Sequence, residues 1–176
     1  MRGLFILALS LISLNTFAAG SKIDIPKYDW SWKGFFGTYD RASAQRGLKV
    51  YREVCAGCHS MDLIAYRNLA DLGFSEAHIK AIAAEYLIPD GPNDEGEMFE
   101  REAIPSDRFA NPYPNVQAAR AANNGAYPPD LSLIVKARPK GADYLKALLL
   151  GYVEAPADKE VPEGQYYNKY MDGNLI

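Results

Sequence analysis

The pentapeptide Cys55-Ala56-Gly57-Cys58-His59 constrains this chain more than any other feature of its sequence. C-x-x-C-H is the attachment motif of a c-type haem. Two thiols three positions apart can each add to one vinyl group of the porphyrin, and the next residue brings an imidazole to one face of the iron. We therefore predict one covalent haem c held by Cys55, Cys58 and His59, and we expect the haem to form part of the core.

Other interpretations of the motif are weaker. A structural zinc site needs about four ligands, and the second histidine, His78, lies far from His59 in the sequence. A thioredoxin-like motif should open a helix within a βαβ pattern, and we find no such alternation of elements. Both cysteines of the chain belong to this one motif, which excludes a disulfide framework.

The first residues have the composition of a signal peptide. Arg2 supplies a positive charge, residues 4–14 form an apolar run too short to span a bilayer, and small residues follow around Ala18. We predict a signal peptide over residues 1–19 and one domain over residues 20–176, the alternative being an uncleaved membrane anchor. Export would place the mature chain in the periplasm. The net charge of −3 argues against a nucleic-acid partner.

Apolar periodicity and capping residues predict helices joined by long loops. The N-caps that we assign to the first three helices are Asp40, Ser75 and Asn115. The predicted helices run from residue 40 to about 55, from 75 to before Pro89, and over 116–122, 131–137 and 142–152. The last helix should face the core with the apolar stripe Leu145, Leu148, Leu149 and Tyr152. We find no convincing strand, so the predicted fold class is mostly α.

Longer segments resemble the cytochrome c1 family, from about Tyr28 to the end of the chain. The segments that carry the resemblance are 54–62 with 65–69, 90–99, 118–132, and 151–152 with 163–168. Segment 118–132 includes the run Asn123-Asn124-Gly125-Ala126-Tyr127-Pro128-Pro129. The resemblance implies a cytochrome c-like helical domain around one covalent haem, with long loops.

The resemblance also implies a function, that of the haem subunit of ubiquinol–cytochrome c reductase, the respiratory complex III. In that role the chain would sit beside cytochrome b, take an electron from the Rieske iron–sulfur protein and pass it to a soluble c-type cytochrome. It would be an electron-transfer subunit and not a stand-alone catalyst. The implied location is the bacterial inner membrane, with the haem domain on the periplasmic side. Two other classes stay open: a free periplasmic c-type carrier, and a haem enzyme such as a peroxidase with an open iron position.

Roles for individual residues follow from the same resemblance. Cys55 and Cys58 match the thioether sites, and His59 matches the proximal iron ligand. The family segment that packs against the haem is matched by Asn123, Ala126, Pro128 and Pro129. Arg138 matches an arginine that pairs with a haem propionate, and Tyr144 matches a tyrosine near the haem. Without the family, Pro128-Pro129 could be a plain loop and Arg138 an ordinary surface charge.

The family has two features that we expect only after Ile176. Its second axial ligand is a methionine in a Met-Pro-rich segment, and a membrane-anchoring helix follows. We therefore interpret residues 20–176 as a haem domain that is incomplete at its C-terminus. Met171 could substitute as the ligand, the alternative being a packing residue. His78 is expected to face solvent.

An acidic stretch follows the second predicted helix. Most charge runs are simply solvated faces. In this family, however, acidic surface near the haem edge meets a basic cytochrome, which speeds the encounter of the two proteins. The acidic residues are Asp90, Asp94, Glu95, Glu97, Glu100, Glu102 and Asp107, against Arg101 and Arg108.

Overall fold

The computed structural model describes residues 23–175, so the predicted signal peptide lies outside the described residues. The α-helices are α1 Arg41–Glu53, α2 Glu76–Ala84, α3 Val116–Ala122, α4 Ile134–Ala137 and α5 Ala142–Leu150. Two 3-10 helices span Cys55–Gly57 and Tyr66–Leu72. The strands are β1 Leu87–Asp90, β2 Phe99–Glu102, β3 Tyr166–Tyr167 and β4 Asn174–Leu175. None of the helices within 23–175 has the length and apolar character needed to cross a membrane.

The three predicted N-caps are confirmed. Each side chain accepts a hydrogen bond from a backbone N–H of the first turn, at 3.0 Å for Asp40, 3.3 Å for Ser75 and 2.8 Å for Asn115. A cap of this kind stabilises a helix by about 1 kcal/mol, because it satisfies an N–H group that has no partner within the helix. Helices α1, α2 and α3 therefore begin where the sequence predicts.

The core lies between α2 and the 3-10 helix Tyr66–Leu72. Ile79, Ile82 and Ala83 of α2 are buried on one face of this helix. They form one cluster with Tyr66, Leu69, Ala103 and Phe109. Burying a large apolar side chain stabilises a fold by about 1.5–3 kcal/mol. Two residues of α1, Leu48 and Tyr51, pack against this cluster and so fix the helix that leads to the C-x-x-C-H motif.

Strands are present, contrary to the sequence prediction. β1 pairs with β2 in an antiparallel hairpin, with Leu87 opposite Glu102 and Asp90 opposite Phe99. β3 pairs with β4 over two residues each. Both pairings are too short to leave a period-two pattern, and β1 contains Pro89, which disfavours a strand. Helices make up 34% of the structure, so "mostly α" describes it only loosely.

The predicted apolar stripe of α5 is wrong in part. Ala147 is the residue of α5 that is fully buried, whereas Leu149 is 72% exposed and Tyr152, just beyond the helix, is 47% exposed. The polar side of α5 packs instead: Asp143 accepts a hydrogen bond from Trp30 Nε1 at 2.6 Å, and Lys146 Nζ lies 5.2 Å from the Trp30 ring centroid. Trp30, which precedes α1, therefore packs against the polar side of α5, the side opposite the predicted apolar stripe.

Candidate haem site

The C-x-x-C-H motif forms a tight turn directly after α1. The backbone N–H of Cys58 donates to the carbonyl of Cys55 at 3.1 Å, and that of His59 donates to the same carbonyl at 2.8 Å. Residues three and four positions apart in a helical turn lie on one side of it. Cys55, Cys58 and His59 accordingly line a single cleft.

This cleft has a volume of about 510 Å³. Three sequence-distant parts of the chain line it, namely residues 54–59, residues 123–129, and Tyr152 with residues 171–175. Seven of the nine predicted site residues are among its lining residues: Cys55, Cys58, His59, Asn123, Ala126, Pro128 and Pro129. The fold therefore brings together predicted site residues that lie up to 74 positions apart in the sequence, from Cys55 to Pro129.

Two predicted site residues do not line the cleft. Arg138 is exposed and follows the last residue of α4. Tyr144 is half-buried in α5. The pairing of Arg138 with a haem propionate and the position of Tyr144 near the haem stay predictions.

The imidazole of His59 has a defined tautomer. Its Nδ1 lies 2.8 Å from the carbonyl oxygen of Pro129. A carbonyl can only accept, so Nδ1 carries the proton, and in the neutral ring Nε2 then keeps a free lone pair, which is the form that binds a metal. Such hydrogen bonds to the second ring nitrogen orient metal-binding histidines. The backbone of His59 is held as well, since the Tyr51 hydroxyl donates to its carbonyl at 3.2 Å.

The segment that carries Pro129 is fixed at the end of α3. Asn123 Nδ2 donates to the carbonyl of Ala119 at 2.7 Å and to the Tyr113 hydroxyl at 3.1 Å. The chain then turns through left-handed backbone, with φ of 50° at Asn124 and 87° at Gly125. The third helix thus ends in the left-handed backbone that commonly closes a helix. The turn delivers the two prolines to the cleft as a stretch without free N–H groups.

The third part of the lining was not predicted from the sequence, apart from Met171 as an alternative ligand. It comprises Tyr152, Met171, Asn174 and Leu175. What holds this part of the lining in place is Asn168, which is fully buried. Its Nδ2 donates to the carbonyl of Leu148 at 2.7 Å. Asn168 thereby ties the β3–β4 segment to the end of α5. A buried asparagine joined to a helix end can be recognised only once the fold is known.

The two thiols differ in their surroundings. Both cysteines are free, Cys55 half-buried and Cys58 exposed. Burial, together with the nearby Cys58, raises the pKa of the Cys55 thiol. This free thiol is therefore protonated at neutral pH.

The donor set fits a haem and not a simple metal ion. Within residues 23–175, no group of three or more His, Cys, Asp and Glu side chains could hold a metal. The two thiols and the imidazole stand in the C-x-x-C-H spacing by which a c-type haem is attached. His78 lies exposed on α2, as predicted, and takes no part in the cleft.

The acidic stretch forms the β1–β2 hairpin and its flanks. Arg101 in β2 is paired with Asp90 and with Asp107, whose Oδ2 lies 2.7 Å from Nη1. The hydrogen bonds from Arg101 lower the pKa of both carboxyls. The remaining acidic residues are exposed and carry the negative charge of this surface; they are Asp94, Glu95, Glu97, Glu100 and Glu102.

Comparison with known proteins identifies consistent relatives. A family model described as "Cytochrome C1 family" matches residues 30–176. The chain is 53% identical over 154 residues to "Cytochrome c1-2, heme protein, mitochondrial" of Solanum tuberosum, covering 88% of this chain and 59% of that protein. It is 51% identical over 160 residues to "Cytochrome b-c1 complex catalytic subunit, mitochondrial" of Candida albicans, covering 90% and 56%. It is 49% identical over 192 residues to "Cytochrome b/c1" of Bradyrhizobium diazoefficiens, covering 96% and 28%. The chain thus spans less than two thirds of the length of each of these relatives.

Proposed function

The chain belongs to the cytochrome c1 family, and from this premise we propose that it is the haem-carrying electron-transfer subunit of a ubiquinol–cytochrome c reductase. The observation that carries the proposal is the cleft in which Cys55, Cys58 and His59 meet, with the His59 tautomer fixed by Pro129. Members of the family carry a covalent haem c and serve respiratory electron transport.

In this proposal each group at the cleft has a separate task. Cys55 and Cys58 bind the haem covalently through thioether bonds, and His59 is the proximal iron ligand. Asn123, Ala126, Pro128 and Pro129 exclude water from the haem face they cover. Haem c supplies a one-electron iron centre, whose potential depends on the axial ligands and on the polarity of the pocket. Apolar walls matter for that reason, because they disfavour the ferric charge.

We also propose partners and a location for the complete protein. Electrons enter from the Rieske iron–sulfur protein and leave to a soluble c-type cytochrome, and cytochrome b is the partner within the complex. The names of the Bradyrhizobium and Candida relatives support cytochrome b as the partner. The location is the bacterial inner membrane, with the haem domain of residues 20–176 on the periplasmic side after removal of residues 1–19.

The acidic hairpin supports a basic acceptor. Its exposed carboxylates are not neutralised by Arg101, which is engaged by Asp90 and Asp107. A surface of one sign attracts a partner of the opposite sign over distances of about a Debye length, roughly 8 Å at physiological salt. We propose this hairpin as the surface that steers a basic cytochrome toward the haem domain.

The experiment that tests the function starts from the chain expressed with a c-type haem maturation system. We expect haem that stays attached after denaturation and acid extraction, with a reversible one-electron midpoint. The double variant Cys55→Ala/Cys58→Ala should lose covalent haem, whereas Gly57→Ala, in the same turn, should keep it. Extraction of all haem from the wild-type chain would refute the proposal. Reduction by a Rieske protein, and reoxidation by a basic c-type cytochrome, then tests the partners.

A further inference from the structure

We infer that Asp130 is a positioning residue for His59. Its carboxylate links by hydrogen bonds the same two backbone segments that the His59–Pro129 hydrogen bond connects. The inference rests on the proposed function, in which His59 binds the haem iron. Asp130 directly follows Pro129, whose carbonyl oxygen accepts the hydrogen bond from His59 Nδ1 at 2.8 Å. A displacement of residue 130 would therefore displace the Pro129 carbonyl, to which the His59 ring donates.

The carboxylate makes three hydrogen bonds within this region. Its Oδ2 accepts from the Ser60 hydroxyl at 2.8 Å and from the backbone N–H of Asp62 at 2.7 Å. Its Oδ1 accepts from the backbone N–H of Ser132 at 2.8 Å. The first two bonds reach the segment that leaves His59, and the third fixes the turn that follows Pro129. One side chain thus links residues 60–62 to residues 130–132.

Two further bonds run parallel to these. The N–H of Leu131 donates to the carbonyl of Ser60 at 2.9 Å, and the N–H of Leu63 donates to the Ser132 hydroxyl at 3.0 Å. The His59–Pro129 contact is therefore the first of a row of cross-links between the two segments. Asp130 accepts the two cross-linking hydrogen bonds from Ser60 and Asp62, and its carboxylate is the ionised group in this row.

The Asp130 side chain is suited to this task by its charge. Burial raises the pKa of its carboxyl, but hydrogen bonds from Asp62, Ser132 and Ser60 outweigh that effect, so the net pKa lies below the ordinary value. An ionised acceptor makes hydrogen bonds about twice as strong as a neutral one. Removing it should let the Pro129 carbonyl drift from Nδ1. A weaker bond at Nδ1 makes the imidazole a poorer electron donor, which favours ferrous over ferric iron.

The test is the reduction potential of the haem-loaded chain. We expect Asp130→Ala to raise the ferrous-to-ferric ratio at a fixed ambient potential by roughly tenfold, a 59 mV increase for one electron. The matched control is Asp62→Asn, which removes the same charge from an exposed side chain and leaves the Asp62 N–H in place. Asp130→Asn should fall between the wild type and Asp130→Ala, because an amide can keep the bond from Ser132.

A second readout separates positioning from charge and from general stability. The paramagnetic NMR shifts of the haem methyl groups report the orientation of the axial imidazole, and they should change in Asp130→Ala but not in Asp62→Asn. Equal potentials and equal methyl shifts in these two variants would overturn the inference. If Asp130→Ala does not fold, Ser60→Ala decides, since it removes one bond to the carboxylate and should raise the potential by a smaller amount; an unchanged potential would count against the inference.

Failure of the proposed function would be seen earlier. A wild-type chain without covalent haem, or a low-spin spectrum that survives His59→Ala, would refute the assignment of the haem ligand before any Asp130 variant is measured.

Discussion

At the scale of the residue, His59 is held at both its ring and its backbone. The ring donates to Pro129, and the carbonyl accepts from Tyr51. Burial raises the pKa of the Tyr51 phenol to about 12, so it remains a hydrogen-bond donor at neutral pH. In the role that we propose for His59, a side chain fixed in this way would present one nitrogen in one tautomer, which would lower the cost of ordering it when the iron binds.

We expect His59→Ala to keep covalent haem and to lose the low-spin spectrum. The thioether bonds depend on Cys55 and Cys58 alone, whereas a strong axial field requires the imidazole. His78→Ala is the matched control, since His78 is exposed on α2. Optical and electron paramagnetic resonance spectra of the two variants check the prediction. A low-spin spectrum in His59→Ala would rule out His59 as the ligand.

Gly151 provides a second prediction at this scale. An added Cβ would lie 2.5 Å from Asn168 Oδ1 and 2.6 Å from a ring carbon of Tyr170. We expect Gly151→Ala to destabilise the protein by about 1–3 kcal/mol, because buried Asn168 and half-buried Tyr170 cannot withdraw without losing their own contacts. The control is Gly57→Ala, where no atom lies within 4 Å of the added carbon. Urea unfolding midpoints compare the two; equal midpoints would contradict the packing argument.

At the scale of the element, the helix starts could be predicted and the strands could not. Asp40, Ser75 and Asn115 cap through bonds to residues two or three positions away, so the sequence alone contains the whole interaction. The β3–β4 pair depends on Asn168, which binds a carbonyl twenty positions earlier. Cys55, Cys58 and His59 could be placed together from the sequence because they share one turn, so their spacing is local. Tyr152, Asn174 and Leu175 could not be placed at the site, because their position depends on a contact between distant parts of the chain.

The β1–β2 hairpin should carry a distinct pH dependence. Hydrogen bonds from Arg101 lower the pKa of Asp90 and Asp107 in the folded state. Their contribution to stability is therefore complete above the ordinary carboxyl pKa of about 3.9, and is lost as the pH falls from there through the lowered folded-state values. We expect Arg101→Gln to reduce stability at pH 6 and to flatten its decline as the pH falls below about 4.

Urea unfolding at each pH, followed by circular dichroism, measures this effect. Lys49→Gln is the control, since Lys49 pairs with the exposed Glu53 on α1 at 3.8 Å. A slope in Arg101→Gln as steep as that of the wild type would show that the acid sensitivity arises elsewhere.

At the scale of the whole molecule, charge is distributed unevenly over the surface. The hairpin and its flanks contain five exposed carboxylates that have no share in the Arg101 pairs. The cleft, by contrast, is lined by prolines, aliphatic and aromatic groups, two asparagines, the two thiols and the His59 imidazole, with no carboxylate among its described lining residues. The proposed steering and electron-transfer roles thus fall on different residues, which can be altered separately.

We expect Glu95→Lys/Glu97→Lys to slow the second-order reaction with a basic c-type cytochrome by about tenfold at low salt, and to weaken its dependence on ionic strength. The midpoint potential should stay unchanged. Asp158→Lys, an exposed acid outside the hairpin, is the control. Stopped-flow oxidation rates from 10 to 300 mM salt provide the measurement. An unaltered rate and salt slope in the double variant would exclude the hairpin as the docking surface.

The order of the cleft's three linings along the chain has a consequence for biogenesis. In the export and haem attachment that we propose, a chain emerging N-terminus first would expose the thiols of residues 55–58 more than a hundred residues before residues 171–175 appear. Attachment could then be completed on an open chain, while a maturation enzyme still has room to approach both sulfurs. Closure by the later segments would follow, and a prematurely compacted chain would be a poorer substrate for that enzyme.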